Sequence, residues 1–182
     1  MVDLGRGTYL RPCEPSDDAF LYDVFCTTWE SEVAALPNQN LAQHILRIQH
    51  IAQERRFASR YPGHQRLIVM SGGLGAGRLY LFESLSSLQV VDLTLMPQFR
   101  SRGIGTRILH HLMSEATRDG STIAAGVPRT NKGATKLYAA LGFQLVSVDD
   151  LDNGFEWAPA SVTEPASHTP TAGAVVRPVS RR

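Results

Sequence analysis

The chain has 182 residues, of which 43% are hydrophobic and 19% charged, and a formal net charge of +1. That composition fits one soluble domain long enough to bury a core, and the near-neutral balance argues against a surface built to coat nucleic acid or an anionic membrane. No stretch approaches the roughly 20 apolar residues of a membrane span, and the opening MVDLGRGTYLRPCEP has no signal-peptide core, so a cytoplasmic protein is the expectation.

In chain order, residues 7–13 read as a strand closed by Pro15. Ser16 is the expected N-cap of a helix running to about Trp29, with Phe20, Leu21, Val24 and Phe25 at helical spacing. After a connector at 30–40, Asn40 is placed to cap a second helix, on which Leu41, Ile45, Ile48 and Ala52 share a face and which ends before Pro62. Residues 66–70 and 78–83 read as a hairpin joined by the flexible link SGGLGAG, and a third strand runs from Leu88 to Leu95. The positions Ile104, Ile108, Leu109, Leu112, Met113 and Ala116 mark an amphipathic helix with Gly120 as its stop. Strand 122–127, helix 131–141, strand 143–148 and strand 154–157 complete the series. This order specifies an α/β (α+β) domain over 1–157, a mixed sheet of about six to seven strands with about four helices on its faces. From 158 to 182 the composition turns to Pro, Ala, Ser and Thr without aromatics, and a flexible tail is expected.

The segment that carries chemistry is VVDLTLMPQFRSRGIGTRILHHLMSEA, residues 90–116. A strand ends at Pro97, a turn follows, and Gly103 and Gly105 lie at the start of a helix. The first turn of a helix holds N–H groups without intrahelical partners and the positive end of the dipole, which together favour a phosphate. The two glycines leave no side chain between that backbone and an anion, and Arg100, Arg102 and Arg107 add positive charge. No G-x-x-x-x-G-K-[ST] occurs, and the loop lacks the third glycine of a dinucleotide fingerprint.

Arg100-x-x-Gly103-x-Gly105 resembles the [QR]-x-x-G-x-[GA] signature of the GNAT superfamily of N-acetyltransferases. The likeness extends back through Leu93-x-Leu95-x-Pro97 and forward to Asn131-x-x-Ala134-x-x-Leu137-Tyr138-x-x-Leu141-Gly142-Phe143, over about residues 78–147. The resemblance implies a central sheet that splays between the strands ending near Leu95 and Val127, with acetyl-CoA in the gap. Backbone groups of Leu93, Thr94 and Leu95 would pair with the pantetheine arm, one N–H near Leu95 would polarise the acetyl carbonyl, and the N–H groups of Ser101, Arg102, Gly103, Ile104, Gly105 and Thr106 would hold the pyrophosphate. Asn131 caps its helix or bonds the pantetheine chain as well. Tyr138 would protonate the departing thiolate.

The implied reaction is direct transfer of acetyl to a primary amine on a small molecule, peptide or protein. Where some members carry a glutamate base this chain has Gly126, so the proton acceptor stays open among Asp92, Glu83, Glu30, Glu32 and a water relay. A CoA-binding sensor or interaction module of the same fold is the rival reading, with an adenine-nucleotide-binding regulatory domain behind it. The six histidines form no zinc pattern and no metal is expected; Cys13 and Cys26 are ordinary thiols. Neither nucleic acid nor membrane is an expected partner, the oligomeric state is open, and a homodimer is compatible with the resemblance.

Overall fold

A computed structural model describes residues 1–30, 33 and 38–160. One sheet of eight strands runs through it: β1 (Val2–Asp3), β2 (Thr8–Pro12), β3 (Gln65–Ser71), β4 (Leu74–Glu83), β5 (Ser87–Leu95), β6 (Thr122–Pro128), β7 (Gln144–Val148) and β8 (Asp152–Trp157). The spatial order is β1-β2-β3-β4-β5-β6-β8-β7, and every neighbouring pair is antiparallel except β5–β6. The count exceeds the expected six to seven because Val2–Asp3 pairs back onto β2. Two residues are too short to show alternation; the turn that returns them uses positive φ at Gly5, Arg6 and Gly7.

Among the described residues four α-helices flank the sheet: α1 (Asp18–Cys26), α2 (Gln39–Arg60), α3 (Ile104–Asp119) and α4 (Lys132–Ala140). On one face, Ile104, Ile108, Leu109, Leu112 and Ala116 of α3 and Tyr138 of α4 join Leu79, Leu81, Leu88, Val90, Ile123, Ala125, Val127 and Phe155 in the main core. The other face, under α1 and α2, holds a smaller cluster of Leu21, Ile68 and Tyr80 with Phe20, Phe57 and Val91 packed on it.

Several local expectations are corrected. Ser16 does not cap α1: a 3-10 turn, Pro15–Asp17, precedes it, and Asp17 organises the corner. Its carboxylate accepts the Glu14 N–H at 2.8 Å and both Arg11 guanidinium nitrogens at 2.7 and 2.6 Å, and the Arg11 bonds hold its pKa down at about 2. The helix stops at Cys26 rather than Trp29, as Thr27 and Thr28 turn their hydroxyls back to the Val24 and Phe25 carbonyls. Asn38, not Asn40, caps α2, its side chain accepting the N–H groups of Asn40 and Leu41.

The expected apolar face of α2 also points the wrong way: Leu41 is 53% and Ile48 64% exposed, while Ala42 and Leu46 are buried. The helix turns Gln53, Glu54 and Phe57 inward because the sheet surface beneath it presents a buried cation, Arg78, and the Tyr80 hydroxyl. Polar partners there outweigh apolar periodicity. The SGGLGAG link is mostly strand: only Gly72 and Gly73 form the turn, at φ 59° and 80°. A Cβ on Gly75 would meet the Phe20 ring at 2.8 Å and one on Gly77 the Thr94 carbonyl oxygen at 2.2 Å, so close packing explains those glycines. Residues 31, 32 and 34–37 of the connector and 161–182 of the expected tail lie outside the described residues.

Candidate active site

The sheet opens at its one parallel seam. β5 and β6 pair only through Ser87↔Thr122, Leu88↔Ile123, Gln89↔Ala124 and Val90↔Ala125. Beyond Val90, β5 keeps β4 as its partner while Gly126–Pro128 pairs with β8. A bulge in the β4–β5 ladder falls at this point, where Tyr80 opposes Asp92 and Leu81 opposes Val90. The unpaired Val91 packs with the α1–α2 cluster and Asp92 reaches Arg78, so both side chains occupy that same face. Past the bulge, the Thr94 carbonyl faces β4 at Gly77, and the Met96 N–H returns to the Ala76 carbonyl. Strand alternation then directs the main-chain groups of Leu93 and Leu95 into the opening. The Leu95 carbonyl there accepts Arg100 Nε–H at 2.8 Å.

The loop from this strand to α3 is built by a 3-10 turn, Pro97–Phe99, and by left-handed backbone at Ser101 (φ 58°) and Gly103 (φ 72°). Among the described residues no acceptor takes the N–H groups of Ser101, Arg102, Gly103, Ile104, Gly105 or Thr106; the first bond back is Arg107 N–H to the Gly103 carbonyl, at 3.1 Å. Six successive donors therefore stand at the positive end of a 16-residue helix. Ile104 itself is buried in the core, fixing the loop from below, while Ser101, Arg102 and Gly103 are exposed.

The three arginines do different work from a simple ring of charge. Arg100 braces the loop between the Leu95 carbonyl and Thr27 Oγ1, and Arg107 bonds the Arg102 carbonyl and Thr8 Oγ1. Arg102 lies over the Phe99 ring. Gly105 serves helix packing, since a Cβ there would meet Leu137 of α4 at 3.3 Å.

Asn131 caps α4 with its side-chain oxygen, accepting the Ala134 N–H at 3.0 Å, which leaves its NH2 donors on the exposed side. Tyr138 follows seven residues on and is 5% exposed. Its ring is clamped edge-on by Phe143 at 4.9 Å and stacked with Phe155 at 5.7 Å. Its hydroxyl makes no hydrogen bond among the described residues. Burial raises its pKa, and the Asp92 carboxylate raises it further. The phenol thus keeps its proton at neutral pH.

On the α2 face, where the β5–β6 ladder ends, lies a cleft of about 760 Å³. Phe57, Arg56 and Arg60 of α2, Val91 and Asp92 of β5, Gly126 of β6, and the β7–β8 turn with Asp149 and Asp152 are among its walls. Gly126 presents bare main chain to the cleft, and a Cβ there would meet nothing within 4 Å. Of the carboxylates considered from sequence, Asp92 alone among the described residues lies in this wall. Glu83 is exposed and accepts Gln65 Nε2–H at 3.0 Å, Glu30 is exposed, and Glu32 lies outside the described residues. Sequence reasoning missed Arg78, Gln53 and Glu54, which contact or neighbour Asp92; the available signal was an arginine inside an otherwise apolar strand run, Arg78-Leu79-Tyr80-Leu81-Phe82. Among the described residues no three His, Cys, Asp or Glu side chains gather as a metal site, and no helix is long and apolar enough to cross a membrane.

A sequence model described as the acetyltransferase (GNAT) family matches residues 24–143. Among solved structures the fold is similar to that of PaiA N-acetyltransferase from Thermoplasma acidophilum in complex with coenzyme A, at TM-score 0.63 and 18% identity over 84% of this chain and 99% of that one. It is also similar to the ribosomal-protein-S18-alanine N-acetyltransferase of Escherichia coli (TM-score 0.54, 19% identity, 82% and 90% covered). A GNAT family acetyltransferase from Elizabethkingia anophelis with acetyl-CoA bound gives TM-score 0.57 at 11% identity, with 85% and 100% covered. Among curated proteins no sequence matches significantly.

Proposed function

The chain belongs to the acetyltransferase (GNAT) family, and we propose that it moves an acetyl group from acetyl-CoA to a primary amine by direct attack. One observation carries this reading: the β5 edge at Leu93 and Leu95, which no strand pairs on the β6 side, continues into six free N–H donors from Ser101 to Thr106, with Tyr138 packed on Phe155 beside the seam. A pyrophosphate fits the donors, and an extended amide chain fits the edge as an added strand would. The solved neighbours with CoA or acetyl-CoA bound support the same ligand.

In this reading the Leu93 and Leu95 main-chain groups hold the pantetheine arm, and the Thr94 groups keep the strand on β4. The Leu95 N–H aligns the acetyl carbonyl and stabilises the oxyanion as the amine nitrogen bonds to the carbonyl carbon. The Asn131 amide adds a donor to the pantetheine chain. The acceptor approaches from the α2 face and gives up its proton to Asp92, directly or through one water. When the C–S bond breaks, Tyr138 on the other side donates its proton to the leaving sulfur. An alkylamine is mostly protonated at neutral pH, so a carboxylate at the mouth serves both to draw the ammonium in and to accept the proton lost. The bare Gly126 floor favours one second reading, a CoA-binding module without turnover.

The deciding experiment is CoA release measured with acetyl-CoA and a panel of amines and peptides, alongside calorimetric titration with acetyl-CoA, CoA and ATP. Turnover with an acceptor supports transfer. Tight CoA binding with no acceptor-dependent release selects the binding module, and ATP binding as tightly as CoA refutes both.

A further inference from the structure

We propose that Arg78 is a positioning residue that aims the Asp92 carboxylate at the acceptor amine and, through Gln53 and Glu54, makes α2 part of that same assembly. The inference rests on the reading that Asp92 takes the amine proton.

Arg78 sits in the middle of β4, and its side chain is 1% exposed. Removing a guanidinium from water this completely is tolerated only where partners meet its donors. Here they come from two different elements. Nε–H donates to Asp92 Oδ2 on β5, NH2 to Gln53 Oε1 at 2.7 Å and NH1 to Glu54 Oε1 at 3.3 Å, both on α2. The planar fork fixes these directions together, which a lysine ammonium on a flexible stem does not do. Asp92 Oδ1 meanwhile accepts Thr94 Oγ1–H at 3.0 Å. Each oxygen has one partner and keeps a free lone pair. The carboxylate is thus locked in rotation where the bulge brings it to the cleft wall.

Arg66 reaches Glu54 at 3.4 Å and lies over the Tyr80 ring, and the Tyr80 hydroxyl faces Glu54 at 3.3 Å. His50 stands 3.9 Å from Glu54, with burial lowering its pKa, and the His64 ring packs on Tyr80. Arg78 and Arg66 thus meet Asp92 and Glu54. Arg56 and Arg60 of α2 and Asp149, Asp150 and Asp152 from the β7–β8 segment line the same cleft, and His50, His64, Tyr80 and Tyr138 are the other titratable neighbours. A brace that only tied α2 to the sheet would be complete with Glu54 and Gln53. Burial alone demands an acceptor for Nε–H, but it does not demand that the acceptor be a carboxylate on the cleft wall.

The test compares Arg78→Met, Arg78→Lys, Glu54→Gln and Asp92→Asn with the wild-type chain. It uses steady-state rates from pH 5 to 10, acetyl-CoA titration and melting curves. For Arg78→Met the expected result is a kcat lower by about 10- to 100-fold with acetyl-CoA affinity within about twofold. The acid limb of its kcat/KM profile moves up by about one pH unit or more, because the reacting carboxylate has lost its neighbouring cation. Arg78→Lys restores the limb but not the rate, and Glu54→Gln lowers kcat only a few-fold (about two- to fivefold). If Asp92→Asn slows turnover while Arg78→Met keeps the wild-type kcat and profile, the positioning role is refuted and the base reading survives. If Asp92→Asn changes nothing, the base reading fails and this inference with it. Should Arg78→Met not fold, Arg78→Lys decides, and a wild-type rate and profile there overturn the proposal.

Discussion

Gly77→Ala is expected to damage the protein far more than a single methyl suggests, and Gly126→Ala is its control. A Cβ on Gly77 lies 2.2 Å from the Thr94 carbonyl oxygen and 2.9 Å from Leu95 Cα, both main chain and unable to rotate away. Restoring a carbon–oxygen contact of about 3.3 Å requires β4 and β5 to separate locally by roughly 1 Å. A hydrogen bond of about 2.9 Å does not survive that stretch. Overpacking costs about 1–3 kcal/mol, and one or two ladder bonds add about 1 kcal/mol each, which puts the expected loss at about 3 kcal/mol. For a chain of this size that lowers Tm by roughly 6–12 °C. At Gly126 the same methyl meets nothing within 4 Å, so Tm stays level or rises slightly. Melting curves read both, and initial rates add that Gly77→Ala raises KM for acetyl-CoA, because the Leu93–Leu95 edge moves, whereas Gly126→Ala does not. Equal melting temperatures for the two variants would refute the close-approach argument.

Tyr138→Phe keeps the clamped ring and loses a hydroxyl without a hydrogen-bond partner among the described residues, so Tm should hold while kcat falls roughly 10- to 1000-fold; an unchanged kcat in the release assay removes the phenol from the reaction. Replacing acetyl-CoA by S-acetylpantetheine removes the anion that the Ser101–Thr106 donors are proposed to hold, and KM should rise at least about 100-fold with a much smaller change in kcat. The Asp17 carboxyl sits at about 2 rather than 3.8 because Arg11 bonds it, so its contribution is present above pH 4 and is lost as pH falls through about 2. Asp17→Asn should therefore destabilise the fold by about 1–2 kcal/mol at pH 7, allowing for the half-open Arg11 side of the pair. Denaturant titrations of the two proteins should converge near pH 2.

What the sequence made legible was local and repetitive. The α3 stripe, the Gly120 stop, the loop donors and the Asn131–Tyr138 spacing all follow from short-range rules, and each element stands where those rules put it. The failures share a cause: a long-range partner decided the local choice. Residues of α2 turned to meet Arg78, which lies 24 positions from Glu54 in the chain. The SGGLGAG stretch reads as a flexible link, but Phe20 and the Thr94 carbonyl pack against Gly75 and Gly77. Asp92 was indistinguishable from Glu83 and Glu30 until the bulge and the seam separated it from them. Arg100 and Arg107 also brace the loop through Thr27 and Thr8, partners 73 and 99 positions away in the chain.

The parallel seam has a mechanical consequence. Four residue pairs join a five-stranded antiparallel lobe to a three-stranded one, and among the described residues no other ladder crosses between them. Both lobes end at this junction with strand edges that lack a mate, one at Leu93–Leu95 and the other at Gly126–Pro128. A ligand that fills the gap acts as the absent strand, so its arrival is felt as cohesion: amide exchange should slow along both edges at once, and the two lobes should melt as one where the empty protein loosens first along its middle.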